Sequence, residues 1–222
     1  MFQPRLEILP SPQRRLWQEL TQTPPWFVLY GGTAMALRLG HRQSQDFDFF
    51  SNETFDPETL LGIPYLRGAQ INQRSNNTLS VLVERGGAVK VSFFGDAQMG
   101  HVQEPDLAPD PSLQIASLLD LTATKLKTVQ QRAEARDYID IAAALASGIN
   151  LAEALGAARA IYGKAFNPVA SLKALTYFED GNLHNLPTQT STLLRDSAHN
   201  VRIDALPKFA GKAGITRQRM SS

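Results

Sequence analysis

The sequence predicts an α+β protein: a mixed β-sheet flanked by helices over residues 1–104, then a helical lobe with a basic tail over residues 105–222. Three observations carry this. Short apolar or alternating runs of strand type recur between Trp26 and Phe94, separated by glycine and proline punctuation. A proline- and aspartate-rich stretch, Pro105 to Pro111, interrupts that pattern and reads as the lobe boundary. Beyond it the chain turns alanine- and leucine-rich, with charges interspersed at helical spacing.

Taken in order, Ser11 to Leu20 has a serine before a proline and then Leu16 and Leu20 four apart, an amphipathic helix that Thr23-Pro24-Pro25 stops. Trp26 to Tyr30 is a compact apolar strand broken by Gly31-Gly32. Thr33 to Leu39 is helix-forming and ends at Gly40, a natural C-cap. Asp46 to Phe50 alternates acid and aromatic with the period of a strand. Asp56-Pro57-Glu58 has the form of a helix start, with aspartate as cap and proline in the first turn. Ala69–Arg74, Thr78–Glu84 and Ala88–Phe94 read as strands, the last two joined by a turn at Gly86-Gly87. After the boundary, helical patterns run from Leu113 to about Leu145, Leu151 to Tyr162, Pro168 to Phe178, and Thr188 to about Ile203. The chain shows no internal repeat.

Composition sets limits on function. At 222 residues with 43% hydrophobic and 19% charged, the chain is that of an ordinary soluble globular protein with one good core and an appended lobe. No apolar run has membrane-spanning length and no basic-plus-apolar leader is visible, so the expectation is a cytoplasmic protein without a membrane partner. Cysteine is absent, which removes disulfides, thiolate nucleophiles and cysteine zinc sites. The net charge of +1 does not announce a nucleic-acid binder. Lys208, Lys212, Arg217 and Arg219 follow Asp204 with no acid among them. Such a tail either touches phosphates nonspecifically or is a frayed, solvated terminus, and the second is expected.

The candidate chemistry lies in Tyr30-Gly31-Gly32-Thr33 followed by Asp46-Phe47-Asp48. A glycine pair between strand and helix lets backbone amides approach a ligand, and the helix start offers N–H groups and a positive dipole end to a polyphosphate. In a strand, Asp46 and Asp48 project to the same side while Phe47 and Phe49 point to the core. Two parallel carboxylates repel unless a cation lies between them. Mg²⁺ accepts one or two carboxylates plus phosphate oxygens, although Asp-x-Asp is also found on solvated edges. If Lys125 to Asp140 forms one continuous helix, then Lys125, Arg132, Arg136 and Asp140 fall at steps of seven, four and four on one face. Those cations would suit a triphosphate, with Asp137 and Asp140 orienting them. The alternative is an exposed face laced with ion pairs such as Arg136 with Asp140.

The run from Gly31 through Phe50, GGTAMALRLGHRQSQDFDFF, closely resembles the AbiEii/AbiGii toxin family, nucleotidyltransferase-like proteins of bacterial toxin–antitoxin and abortive-infection systems related in fold to polymerase β. Lys125 through Asp140 resembles the family's later lysine and basic-Asp motifs, and Ser171 to Phe178 is a weaker match. The resemblance spans about Phe27 to Phe178. It implies a nucleotidyltransferase-like sheet and transfer of a nucleoside monophosphate from an NTP to an RNA (tRNA-like) or protein acceptor, with release of pyrophosphate. By position, Asp46 and Asp48 would hold Mg²⁺ or Mn²⁺ and act with Lys125 and Asp137 in catalysis. Gly31, Gly32, Thr33, Arg42, Ser44, Arg136 and Asp140 would bind substrate, and a cognate antitoxin would be a partner. One position departs from the pattern. Transferases of this superfamily commonly carry a third carboxylate on a neighbouring strand, and here Val89-Lys90-Val91-Ser92-Phe93-Phe94 places Ser92 there. A neutral hydroxyl does not replace a carboxylate at a metal. Asp96, beyond Gly95, is the nearest substitute. A weakly active or inactive nucleotide- or RNA-binding relative is therefore the alternative reading, and a partner-binding module that keeps only the fold is a third. The histidines His41, His101, His184 and His199 show no metal-ligand spacing.

Overall fold

The computed structural model describes residues 2–109 and 113–217, so Asp110 and Pro111 of the expected boundary and Arg219 of the tail lie outside the described residues. The chain divides into two compact units. The first takes in residues up to Met99, Glu104–Ser117 and the segment from Gly214; the second takes in Gly100–Gln103 and Leu118–Ala213.

The first unit is built on a seven-stranded mixed sheet. Its strands are β1 (Val28–Tyr30), β2 (Asp46–Phe50), β3 (Gln70–Ser75), β4 (Thr78–Glu84), β5 (Ala88–Phe94), β6 (Asp106–Leu107) and β7 (Gln114–Ile115). Their spatial order is β3-β4-β5-β2-β1-β7-β6. β2 lies antiparallel to β1 and parallel to β5, and β7 lies parallel to β1. The alternation read in the sequence is the burial pattern observed: Phe47 and Phe49 are fully buried while Asp46, Asp48 and Phe50 are half-exposed. Phe93 stacks on Phe49 at 5.4 Å and meets Phe27 edge-on at 5.1 Å, while Trp17 lies 6.3 Å from Phe47. These rings form the core beneath one face of the sheet.

Three helices complete this unit: α1 (Ser11–Trp17), α2 (Gly31–Leu39) and α3 (Pro57–Leu61). α2 begins at the glycine pair, two residues before the expected start at Thr33. It ends at Gly40, whose φ of +64° and N–H bond to the Ala36 carbonyl make it the C-cap the sequence predicts. Asp56 caps α3 by accepting from the Glu58 amide. The expected long helix from Leu113 is corrected at its start, because Gln114 and Ile115 pair with β1 instead. The pairing is reinforced by Gln114, whose Nε2 donates to the Pro25 carbonyl and whose Oε1 accepts from the Arg217 amide. Arg38 of α2 donates to the Ile115 and Ala116 carbonyls and to Asp106, fixing the helix to this side of the sheet. The tail up to Arg217 is docked rather than frayed: Ile215 is fully buried and its amide donates to Asn52.

Gln13 shares the inner face of α1 with Leu16 and Trp17. It is 2% exposed, and neither polar atom of its amide has a hydrogen-bond partner among the described residues. A buried unpaired amide costs about 1–3 kcal/mol. Gln13→Leu is therefore expected to stabilise the protein and raise Tm by at least about 2 °C. Thermal unfolding checks this, and a Tm that does not rise would mean the amide is hydrated in place.

The second unit is helical: α4 (Leu118–Thr128), α5 (Ala135–Ala146), α6 (Leu151–Tyr162), α7 (Pro168–Ala174) and α8 (Thr188–His199). α4 packs on both α5 and α6, burying Leu121, Leu126, Ile141 and Leu155. Asn150 and Asn167 cap α6 and α7 through their side chains. The segment after α8 crosses α6 closely, since a Cβ on Gly156 would lie 2.2 Å from the Pro207 carbonyl oxygen. Asp120 accepts the amides of Val102 and Gln103, and His101 and Lys212 exchange backbone hydrogen bonds, which ties residues 100–103 to these helices. A single helix from Lys125 to Asp140 is not observed. The chain leaves α4 at Val129 and re-enters a helix at Ala135 through an extended Glu134. No single described helix is long and apolar enough to cross a membrane.

Candidate active site

β2 lies in the interior of the sheet, so its backbone is fixed on both sides and its side chains alternate strictly. Asp46 and Asp48 therefore share one face, opposite the buried phenylalanines. Register defines their surroundings. Asp48 pairs with Tyr30 on one side and with Ser92 on the other, while Asp46 pairs with Lys90.

The glycine turn is fitted to these side chains. Gly31 has φ +76°, and a Cβ there would lie 2.8 Å from Asp48 Oδ2. A Cβ on Gly32 would lie 2.6 Å from Arg42 Nη2 and 3.0 Å from Ser44 Oγ. The missing side chains thus admit a carboxylate at one glycine and a guanidinium and hydroxyl at the next, all at the amino end of α2. Thr33 is fully buried and its hydroxyl donates to the Asp46 carbonyl, joining the first turn of α2 to the strand. This brings together Gly31, Gly32, Thr33, Arg42, Ser44, Asp46 and Asp48. Gly31→Ala is expected to destabilise by about 1–2 kcal/mol through its positive φ and to push Asp48 out of place. Chemical denaturation and a nucleotide-binding assay should both register the change, and a neutral result in both would show that the close approach is unimportant.

The neighbouring strand presents Ser92 beside Asp48. Ser92 is 1% exposed and its hydroxyl lies 3.2 Å from that of Ser80 on β4. The sequence does not announce this serine pair, which only the strand register reveals. Among the described residues, no group of three or more His, Cys, Asp and Glu side chains could hold a metal ion. Asp46 and Asp48 put two carboxylates on one face of β2, and Mg²⁺ in general accepts one or two carboxylates when phosphate oxygens supply the rest.

The helical unit holds a second ionic centre. The link between α4 and α5 folds back, so that Lys125 Nζ reaches Asp137 Oδ1 at 2.6 Å and Asp140 Oδ2 at 2.8 Å. Both aspartates are fully buried and Lys125 is 7% exposed. Arg132 grips Asp137 with two bonds, Nε to Oδ2 at 2.8 Å and Nη2 to Oδ1 at 3.2 Å. Burial pushes the Asp137 carboxyl upward, but the Arg132 hydrogen bond and the attraction and hydrogen bond of Lys125 outweigh it and hold the group below the usual carboxylate range. The expected surface pair between Arg136 and Asp140 gives way to Arg136 with Glu134 at 2.6 Å, with Asp140 taken by Lys125. Helical periodicity underrates Arg132, because its bidentate grip depends on the break it spans.

Residues 15–207 match the nucleotidyl transferase AbiEii toxin family of type IV toxin–antitoxin systems. The chain belongs to this family. All the AbiEii residues described above, from Tyr30 to Asp140, fall inside the match. An uncharacterized protein of Aquifex aeolicus strain VF5 is 32% identical over 118 residues, 52% of this chain and 55% of that protein. The match thus spans about half the length of this curated relative. Among solved structures, the AbiEii chain is similar to MenT4, a nucleotidyltransferase toxin from Mycobacterium tuberculosis, with a TM-score of 0.58 and 17% identity over 86% of this chain and 83% of that one. A provisionally assigned nucleotidyltransferase from H. pylori is similar with a TM-score of 0.50 and 20% identity, over 85% and 91% of the two chains. These structural likenesses establish a nucleotidyltransferase-like fold.

Proposed function

We propose that this AbiEii protein transfers a nucleoside monophosphate from an NTP to a hydroxyl of an RNA (tRNA-like) or protein acceptor, acting as the toxin of a toxin–antitoxin pair with a cognate antitoxin as partner. The observation that carries the reading is the fit of Asp48 against Gly31, which sets a carboxylate pair beside the amino end of α2. The amides of Gly31 and Gly32 receive phosphate oxygens, and Arg42 and Ser44, held over Gly32, add charge-assisted contacts. Thr33 acts through the Asp46 carbonyl and keeps strand and helix in register. Asp46 and Asp48 hold Mg²⁺ or Mn²⁺, which when bound polarises the α-phosphate and neutralises developing charge. The acceptor oxygen bonds to the α-phosphorus as the bond to the β-phosphate breaks; pyrophosphate carries away the electron pair, and the acceptor's hydroxyl proton passes to solvent water. Lys125 and Asp137 form the catalytic element of the helical unit, with Arg136 and Asp140 assigned to substrate.

A second reading is favoured by Ser92. With its hydroxyl beside that of Ser80, the position next to Asp48 supplies neither metal ligand nor base, which suits a protein that binds nucleotide with little turnover. The two readings separate in one experiment. The full chain is incubated with Mg²⁺, each labelled NTP in turn, and total RNA. Label on RNA or protein supports the transferase, thermal stabilisation by NTP–Mg²⁺ without label supports the binding protein, and neither response overturns both.

A further inference from the structure

The aspartate face of the sheet also carries a cation. Directly paired residues of neighbouring strands project to the same side, about 4.8 Å apart. The register that sets Ser92 beside Asp48 therefore sets Lys90 beside Asp46. Lys90 is half-buried, as both aspartates are. Of its two paired neighbours, Leu82 is apolar and Asp46 is charged. Among the described residues, neither the Lys90 ammonium nor the Asp46 carboxylate makes an ion pair or a side-chain hydrogen bond. The other polar groups near Lys90 on this face are engaged. Ser92 shares its hydroxyl with Ser80 at 3.2 Å, and the Glu84 carboxylate, farther along β4, accepts from the Gly87 amide.

A lysine beside one acid of a carboxylate pair limits how many cations the pair accepts. Three carboxylates carry enough charge to hold two divalent ions against a triphosphate. On this face the third acid gives way to the neutral Ser92, and an ammonium stands next to the first acid. Asp46, Asp48 and Lys90 together sum to one negative charge, so one divalent ion already over-neutralises them. A second ion would meet the ammonium where it needs a ligand, and like charges at that spacing repel. A lysine ammonium is a compact charge with three donors on a flexible stem, and phosphate oxygens are among its usual acceptors. With Asp46 turned to a metal ion, a phosphate oxygen of the bound nucleotide is the acceptor left for it.

We propose that Lys90 contacts the substrate: its ammonium binds a phosphate oxygen of the nucleotide and stands in place of a second divalent ion, so that the site works with one. The assignment rests on the reading of Asp46 and Asp48 as the metal–nucleotide pair. Both the ion count and the nucleotide contact can be measured without turnover.

The test gives the full chain Mn²⁺ together with NTP analogues that carry a methylene bridge between the α- and β-phosphorus, one base at a time. Bound Mn²⁺ is followed by electron paramagnetic resonance. Two Mn²⁺ in one site, about 3.5–4 Å apart, couple their spins, whereas a single ion does not. The parent is expected to give the uncoupled signal. Lys90→Met, which keeps an unbranched chain of similar length, should bind the analogue about tenfold less tightly, the worth of one charge-assisted contact. Lys90→Arg should regain most of that affinity, a rescue that a merely structural role would not require. A coupled pair in the parent overturns the proposal. So does analogue binding by Lys90→Met equal to the parent's, which would make Lys90 an ordinary solvated lysine. Both of those results leave the transferase reading standing. If the parent holds one ion and depends on Lys90 for the analogue, yet labels no acceptor from natural NTPs, the assignment stands and the transferase reading fails.

Discussion

Asp48→Asn should lower nucleotidyl transfer by roughly a thousandfold or more while leaving the fold intact. The substitution keeps side-chain volume and removes the charge that faces the amino end of α2. A metal-held phosphoryl centre contributes several kcal/mol to the transition state, and each 1.36 kcal/mol is tenfold in rate. Asp46→Asn should fall in the same range, and the double variant should be little worse than either, because the two carboxylates act as one unit. Thermal stability should change little, since Asp46 and Asp48 lie on the half-buried face of β2 and the substitution conserves volume. Single-turnover transfer with labelled NTP, alongside a thermal melt, checks both halves. Retention of more than a tenth of parental transfer would remove Asp48 from the mechanism.

The largest loss of stability is expected from Asp137→Asn. This carboxylate is fully buried and takes three bonds from two cations. Breaking a buried ion pair from one side, by leaving charge uncompensated, costs up to about 3–5 kcal/mol; Lys125 keeps Asp140 and Arg132 is partly exposed, so a loss toward the lower end is expected. Replacing the buried set together, as Lys125→Met/Asp137→Leu/Asp140→Leu, should cost less than the single change, for the same reason. Transfer should be lost in both, which separates a catalytic role for the cluster from a merely structural one. Acid titration gives an independent check. The folded carboxyl of Asp137 lies below its unfolded value, so the native state binds fewer protons. Its contribution is complete above the unfolded value, about pH 4, and disappears as pH falls through the folded one. The parent should therefore lose stability more steeply than Asp137→Asn below about pH 4, as read from urea midpoints at successive pH values.

What the sequence discloses follows from which interactions are local. The alternation of Asp46 to Phe50 forces the aspartates to one side, because a strand has only two. Gly40 and Asp56 act within a few residues of themselves, and both caps are found where expected. Residues that depend on distant partners are less legible. Gln114 and Ile115 have the composition of a helix start, and only β1, some 85 residues earlier, makes them a strand. The break after Thr128 is hidden for a similar reason. The stretch around Arg132 carries no proline or glycine, and Gln130 finds its partners on Asn167 and Ser171 of a later helix. Within the site, the composition of the turn is evident from Gly31-Gly32, but which side chain each glycine accommodates is a matter of how Arg42, Ser44 and Asp48 return to it.

The sheet unit is discontinuous in the chain, and this has a consequence in time. Its strands are complete once Ile115 has been made, yet Ile215, the Asn52 bond it makes and the Arg217 bond to Gln114 belong to the same unit. Roughly a hundred residues of helical unit are synthesised in between, which at ordinary translation speed takes on the order of 5–20 s. During that interval the residues around the carboxylate strand exist without the contacts that seal them. The segment from Gly214 is thus a closing piece of the first-made unit, and the sheet reaches its finished form only after the helical unit has been synthesised.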